Sequence, residues 1–212
     1  MLVMGIDTAL AHCSAAIVRD GETLASVSQP MVRGHAEALA PMIADLLRAA
    51  DIRTRDLHRV GATVGPGSFA GVRVGLSFAR AMAIDTNIDV IGMTSLAALA
   101  ASANLSSENC IGTTINARQG HLYAALFDHA GAVIMEPFIA PADKAHAELR
   151  DGVKERALTI VSDDDASIDP TVVARRAMLE TEVGGAPPPP LYLRPPDAKA
   201  PAPGRYDHLG PQ

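Results

Sequence analysis

The feature that most constrains this sequence is a pattern that occurs twice. Ile6-Asp7-Thr8 closes an apolar run at residues 2–6, a second run follows at 13–18, and Asp20-Gly21 turns the chain into a third at 22–28. About 110 residues later, Ile115-Asn116-Ala117 ends another such segment, Leu122–Phe127 follows, and Ala130-Gly131 marks the next turn. Short apolar runs bounded by Gly and Asp read as strands, and Asp-Gly between two of them reads as a hairpin. Each unit therefore opens an antiparallel meander, and its recurrence predicts two lobes built on one plan. A chain of 212 residues has room for both and for their cores.

Between the two units the period changes. Leu39, Met42, Ile43, Leu46 and Ala50 recur at three- and four-residue steps, which predicts a helix over about 35–50. Pro41 should kink it or mark an irregular first turn. A strand at 60–64 leads into Gly65-Pro66-Gly67-Ser68-Phe69-Ala70-Gly71 and then a helix at 71–84 that is apolar on nearly every side. Gly71, Gly75, Ala79 and Ala83 lie four apart, so one stripe of that helix is almost bare backbone and admits a close neighbour. A strand at 89–92 and a helix at 95–103 complete a first lobe, residues 1–105. The second, 106–184, is shorter, with a helix at 142–150, a strand at 158–162 and a helix at 167–178. Four prolines at 187–190 predict an extended tail, 185–212, in which Leu191-Tyr192-Leu193 can dock as an anchor.

Composition narrows the function classes. The net charge is −6 and only three lysines occur, whereas strong binding to nucleic acid needs a basic stripe that releases counterions. Cys13 and Cys110 are lone thiols without Cys-x-x-Cys spacing and read as buried and reduced. The N-terminus lacks a basic leader region, and no stretch approaches the roughly 18 apolar residues of a membrane span, so the expected address is the cytoplasm. No two of the seven histidines fall within seven positions, which argues against a helix-borne metal site. Asp163-Asp164-Asp165 reads as a solvated turn, and His35 as an exposed or capping residue at a helix start. For Asp7 two readings stay open: a carboxylate that holds a metal–phosphate through water, or a strand-end cap for local N–H groups. The glycine loop is not a Walker A loop, since no lysine follows, nor a nucleophile elbow, since Pro66 and Ala70 stand where glycines are required. It reads as a strand-to-helix turn before it reads as a phosphate cradle.

Taken together, Gly5-Ile6-Asp7-Thr8-Ala9, Arg33-Gly34-His35, the run Gly65-Pro66-Gly67-Ser68-Phe69-Ala70-Gly71-Val72-Arg73-Val74-Gly75, Ile115-Asn116-Ala117-Arg118 with Tyr123, and Tyr192-Leu193-Arg194 resemble the TsaB (YeaZ) family. The resemblance is close over residues 2–128 and thinner beyond. It implies an α/β actin-like ATPase (ASKHA) fold, two ribonuclease-H-like lobes with mixed sheets flanked by helices. It also implies a non-catalytic subunit that binds a TsaD-type catalytic paralogue. With a TsaE-type ATPase, that pair forms threonylcarbamoyladenosine beside the tRNA anticodon. ATP and metal would belong to the partner subunits, tRNA would be met only through the complex, and self-association would use the same face. Asp7, Thr8, Gly65, Gly67, Ser68 and Asn116 would then be the remnant of a nucleotide site. The partner face would comprise His35, Leu39, Met42, Ile43 and Leu46 on one helix with Gly71, Val74, Gly75, Phe78 and Met82 on the next. Departures fit a subunit without catalytic or metal-binding residues: Leu39 stands four after His35 where the catalytic paralogue has a second histidine, Asn116 replaces a carboxylate, and Ser162-Asp163-Asp164 replaces a Gly-x-Gly. The competing reading is an active ATP-dependent transferase or kinase of the same fold with Asp7 on Mg²⁺. A peptidase would need a nucleophile–base pair or metal motif that the sequence does not display.

Overall fold

The computed structural model describes residues 1–103, 109–164 and 166–194. Strands β1 (Leu2–Asp7), β2 (His12–Arg19) and β3 (Glu22–Pro30) form the first meander, followed by α1 (His35–Ala49), β4 (Arg59–Thr63), α2 (Phe69–Thr86), β5 (Asp89–Met93) and α3 (Ser95–Ser102). The second unit is β6 (Cys110–Asn116), β7 (His121–Phe127), β8 (Val133–Pro141), α4 (Ala142–Gly152), β9 (Leu158–Ser162) and α5 (Pro170–Leu179). The sheets have strand orders β3-β2-β1-β4-β5 and β8-β7-β6-β9. In each, an antiparallel meander is extended by a strand parallel to its first member, β4 beside β1 and β9 beside β6. The repeat read from the sequence is thus a repeat of topology, with the second sheet one strand shorter.

Strand β8 has no counterpart in the sequence reading. Pro137 and Pro141 argue against a strand, yet β8 lies at the sheet edge, where a missing N–H removes no ladder bond. The pairing also skips between Ala124↔Phe138 and Leu126↔Met135, so Pro137 falls in a bulge. Pro41 is milder than expected: it sits on the exposed side of α1, and the helix runs through it from His35 to Ala49.

The two sheets exchange helices. Leu2, Met4 and Ile6 of β1 join the core shared with α1 and α2, while Val3 packs on the other face with Ala174 and Ala177 of α5. Helix α5, expected to serve the second lobe, lies on the first sheet, and glycines make room for it. Gly5 and Gly61 are register partners on β1 and β4; a Cβ at Gly5 would stand 2.2 Å from the Pro170 carbonyl oxygen, and one at Gly61 2.5 Å from that of Val173. Conversely α3, which follows β5 of the first sheet, sends Leu96 and Leu99 into a core with Ile111, Ile115 and Phe127 of the second. Helices α3 and α5 touch, so the layer between the sheets belongs to both lobes. Caps set the starts of these helices: Ser68 accepts from Gly71 N on α2, Thr94 from Ala97 N on α3, and Asp169 from Thr171 N on α5, with Pro170 at the first helical position. Cys13 and Cys110 are buried free thiols, and no helix among the described residues is long and apolar enough to cross a membrane.

Candidate functional site

Asp7 ends β1 and is 0 % exposed. Its Oδ1 accepts from Ala9 N (3.1 Å) and Thr63 Oγ1 (2.7 Å), while Oδ2 has no partner among the described residues. Of the two readings left open, the cap is the one these bonds make. Burial pushes the Asp7 pKa up, against the opposing pull of the Thr63 and Ala9 hydrogen bonds and of His12 and His35. The sign of the pH effect follows. The unfolded chain ionises Asp7 near pH 3.8 and the folded chain only at higher pH, so the group weakens folding as pH rises through that window, and the loss persists above it. Asp7→Asn is therefore expected to raise the thermal midpoint at pH 7, a gain that disappears as pH is lowered towards 4. Melting curves across that range check it.

Thr8 and the glycine loop interlock beside Asp7. Thr8 Oγ1 donates to the Gly71 carbonyl (2.7 Å), and Ser68 N donates to the Ala9 carbonyl (2.8 Å). A Cβ at Gly67 would stand 2.4 Å from Ala9 O, one at Gly71 2.0 Å from Thr8 O, and one at Gly75 2.6 Å from Thr8 Oγ1. The bare stripe on α2 thus receives the chain's own β1–β2 turn, and Gly71 and Gly75 are not available to a partner. The same correction applies to most of the expected partner face. His35, Leu39, Ile43, Leu46 and Met82 are buried in the first lobe, and His35 is accordingly not an exposed cap. Met42, Val74 and Phe78 keep partial exposure. What lies open beside them is Ala36, Ala40, Pro41 and Ala44 on α1, with Ala81 and the 86 % exposed Ile84 on α2. Small residues on the outer side of α1 do not register in an apolar-periodicity reading, which is why this surface was missed.

In the second lobe, Asn116 ends β6. Its Oδ1 accepts from Arg118 N (2.8 Å), and its own N–H points at the Asp163 carboxylate, 3.1 Å from Oδ1 and 3.3 Å from Oδ2. Asp163 is consequently more than a solvated turn residue, and partial burial raises its pKa; Asp165 of the same run lies outside the described residues. Arg118, Gln119 and Gly120 all have positive φ, giving a tight β6–β7 turn in which the Arg118 carbonyl accepts from His121 N and the Gly120 carbonyl from Ala142 N. The structure so brings Asp7, Thr8, Gly67 and Ser68 into one cluster. The glycine loop and the Asn116 turn are linked by the tail, since Leu191 N donates to Val64 O (2.7 Å) and Arg194 reaches Ala117 O (2.8 Å). Among the described residues no cluster of three or more His, Cys, Asp or Glu side chains stands ready for a metal ion.

The family model for TsaD, tRNA N6-adenosine threonylcarbamoyltransferase, matches residues 23–167. The tRNA threonylcarbamoyladenosine biosynthesis protein TsaB of Escherichia coli (strain K12) is 32% identical over 126 residues, 59% of this chain and 54% of that protein. The chain belongs to this family, in its TsaB (YeaZ) branch. The TsaB protein of Bacillus subtilis (strain 168) is 27% identical over 134 residues, 63% of this chain and 58% of its own length. The match with TsaB relatives therefore spans little more than half of their length. Among solved structures, a Pseudomonas aeruginosa protein with similarity to peptidase YeaZ superposes with a TM-score of 0.71 at 22% identity, covering 91% of this chain and 99% of its own. YeaZ from the same organism gives 0.63 at 23%, covering 77% and 87%. Those likenesses establish the fold, a two-lobed actin-like ATPase (ASKHA) architecture.

Proposed function

We propose that this TsaB-type chain is a non-catalytic subunit of the machinery that makes threonylcarbamoyladenosine in tRNA. It would bind and support a TsaD-type transferase through the open side of α1 and α2. The family membership carries the pathway, and the state of Asp7 carries the non-catalytic role. An actin-like ATPase fold implies a nucleotide and a metal, and the residues here do not fit them. The strand-end carboxylate that would face the metal is sealed, held by Ala9 and Thr63, and biased by burial towards its neutral form. The corresponding second-lobe position is Asn116, whose backbone is held by an acidic residue, Asp163, and negative charge there disfavours phosphate. The Cβ sides of Gly67 and Gly71 are filled by Ala9 and Thr8, and the N–H groups of Ser68 and Gly71 already donate to Ala9 O and Ser68 Oγ. ATP, metal and the ATPase activity would accordingly be supplied by the TsaD-type and TsaE-type subunits, and tRNA would be held by them, in keeping with the net charge of −6.

The test is reconstitution of the modification from the TsaD-type transferase, the TsaE-type ATPase, tRNA and threonylcarbamoyl-adenylate. Adding this chain is expected to raise product formation at least about tenfold, and Asp7→Asn to support it as well as the parent does. An Asp7→Asn chain that fails to support the reaction while folding normally would overturn the non-catalytic role and favour the ATP-dependent transferase reading.

A further inference from the structure

The last described residues do not trail away from α5; they cross the molecule. The Pro188 carbonyl accepts from Arg80 Nη2 (2.8 Å), and its ring fills the space beside Gly92. Leu191 then donates its N–H to Val64 O (2.7 Å), and its carbonyl fills the space that a Cβ on Gly65 would need, 2.9 Å away. Tyr192 follows, with its hydroxyl accepting from Arg73 Nε (2.9 Å) and its ring 5.2 Å from that of Phe69, over which the Arg73 guanidinium lies at 3.7 Å. Two residues further on the chain has changed lobes. Arg194 donates to Ala117 O (2.8 Å) and to Gln119 Oε1 (2.5 Å), both on the β6–β7 turn.

We propose that residues 188–194 are a strap that joins the glycine loop of the first lobe to the β6–β7 turn of the second and sets the angle between the lobes. Three observations support it. The strap is anchored on both lobes, at Val64 O and Arg73 on the first and at Ala117 O and Gln119 Oε1 on the second. Its path is built into the receiving surface: Gly65 has φ +100° and no room for a side chain, so the position is shaped around the Leu191 carbonyl. And the approach is stiff, since Pro187–Pro190 hold the chain in an extended form up to Leu191, where the crossing begins. Each contact is weak alone, but contacts on one stiff segment act together, because holding one end raises the effective concentration of the other. The guanidinium fork suits the lobe-two end, where two acceptors lie side by side. The inference is independent of the partner reading, as it concerns the isolated chain.

The test is the inter-lobe distance distribution measured by pulsed electron resonance between spin labels at Ser77→Cys on α2 and Glu148→Cys on α4, both exposed and on different lobes. The parent is expected to give one narrow distribution. Arg194→Ala should widen it while the far-UV spectrum and thermal midpoint stay near the parent's. Adding Tyr192→Ala should widen it no further, because with the second-lobe end free the first-lobe end no longer bears on the distance. Arg194→Lys, which keeps the charge and loses the fork, should fall between. A distribution as narrow in Arg194→Ala as in the parent would overturn the strap, as would a further widening on adding Tyr192→Ala.

Discussion

Replacing Gly61 with valine is expected to lower stability by more than about 4 kcal/mol, enough to abolish a normal cooperative melt in a protein of ordinary marginal stability. Local propensity predicts the opposite sign, since Gly61 sits inside β4, where a β-branched residue is normally favoured over glycine. Packing decides. The added Cβ would meet the Val173 carbonyl oxygen at 2.5 Å, its carbon at 3.1 Å and the Ala177 Cβ at 3.1 Å. Two of those atoms are backbone, so no rotamer change relieves the contact and α5 itself must lift. Lifting it re-exposes Val3, Val18, Ala174 and Ala177, all 0 % exposed. Gly61→Ala places the same first atom and should show an intermediate loss. Urea denaturation of the two variants beside the parent checks this, and a midpoint for Gly61→Val at or above the parent's would mean that α5 does not depend on the glycine pair.

The second large effect concerns the partner. Ala40→Arg combined with Ala81→Arg is expected to weaken binding to the TsaD-type transferase by at least about 100-fold while leaving the fold intact. Both alanines are exposed on neighbouring helices, and a helix–helix interface formed on small residues brings backbones too close for a guanidinium chain. For the isolated chain the change is mild, because arginine is a good helix former and exposed substitutions usually shift stability by less than about 0.5 kcal/mol. Leu46→Asp and Gly75→Arg are the probes that the sequence alone recommends, but they would be uninformative. Leu46 is a core residue and Gly75 lies against Thr8, so either change would lose binding by unfolding. Titration calorimetry with the double variant measures the loss, and parent-like affinity would move the interface off α1 and α2.

The contrast between those probes marks what a sequence of this kind discloses. The duplicated meander was legible because strand period and turn residues are local, and Asp20-Gly21 and Ala130-Gly131 announce themselves. Helix α1 was legible from Leu39, Ile43 and Leu46, whose spacing says that they are buried, with Met42 half-buried beside them. Spacing does not say what buries them, and here the cover is the first lobe's own sheet. The same limit hid the destination of α5. Its apolar face was readable, but the sheet that receives it is identified by Gly5 and Gly61, two glycines in strands whose meaning appears only when they fall side by side in register. Helix α2 shows the converse, since its glycine stripe was plain and its guest was not. The cluster at Asp7 could be located from the strand end, whereas its sealed state depends on Thr63, 56 positions away. Strand β8 was lost to its prolines because edge position is a property of the whole sheet.

On the proposed function, this chain works as a partner and not alone. Size-exclusion chromatography with light scattering, on the chain alone and mixed with the TsaD-type protein of the same organism, tests that most directly. A single new peak whose mass is that of a one-to-one complex is expected. Two independent peaks that persist when ATP and the TsaE-type protein are added would contradict it.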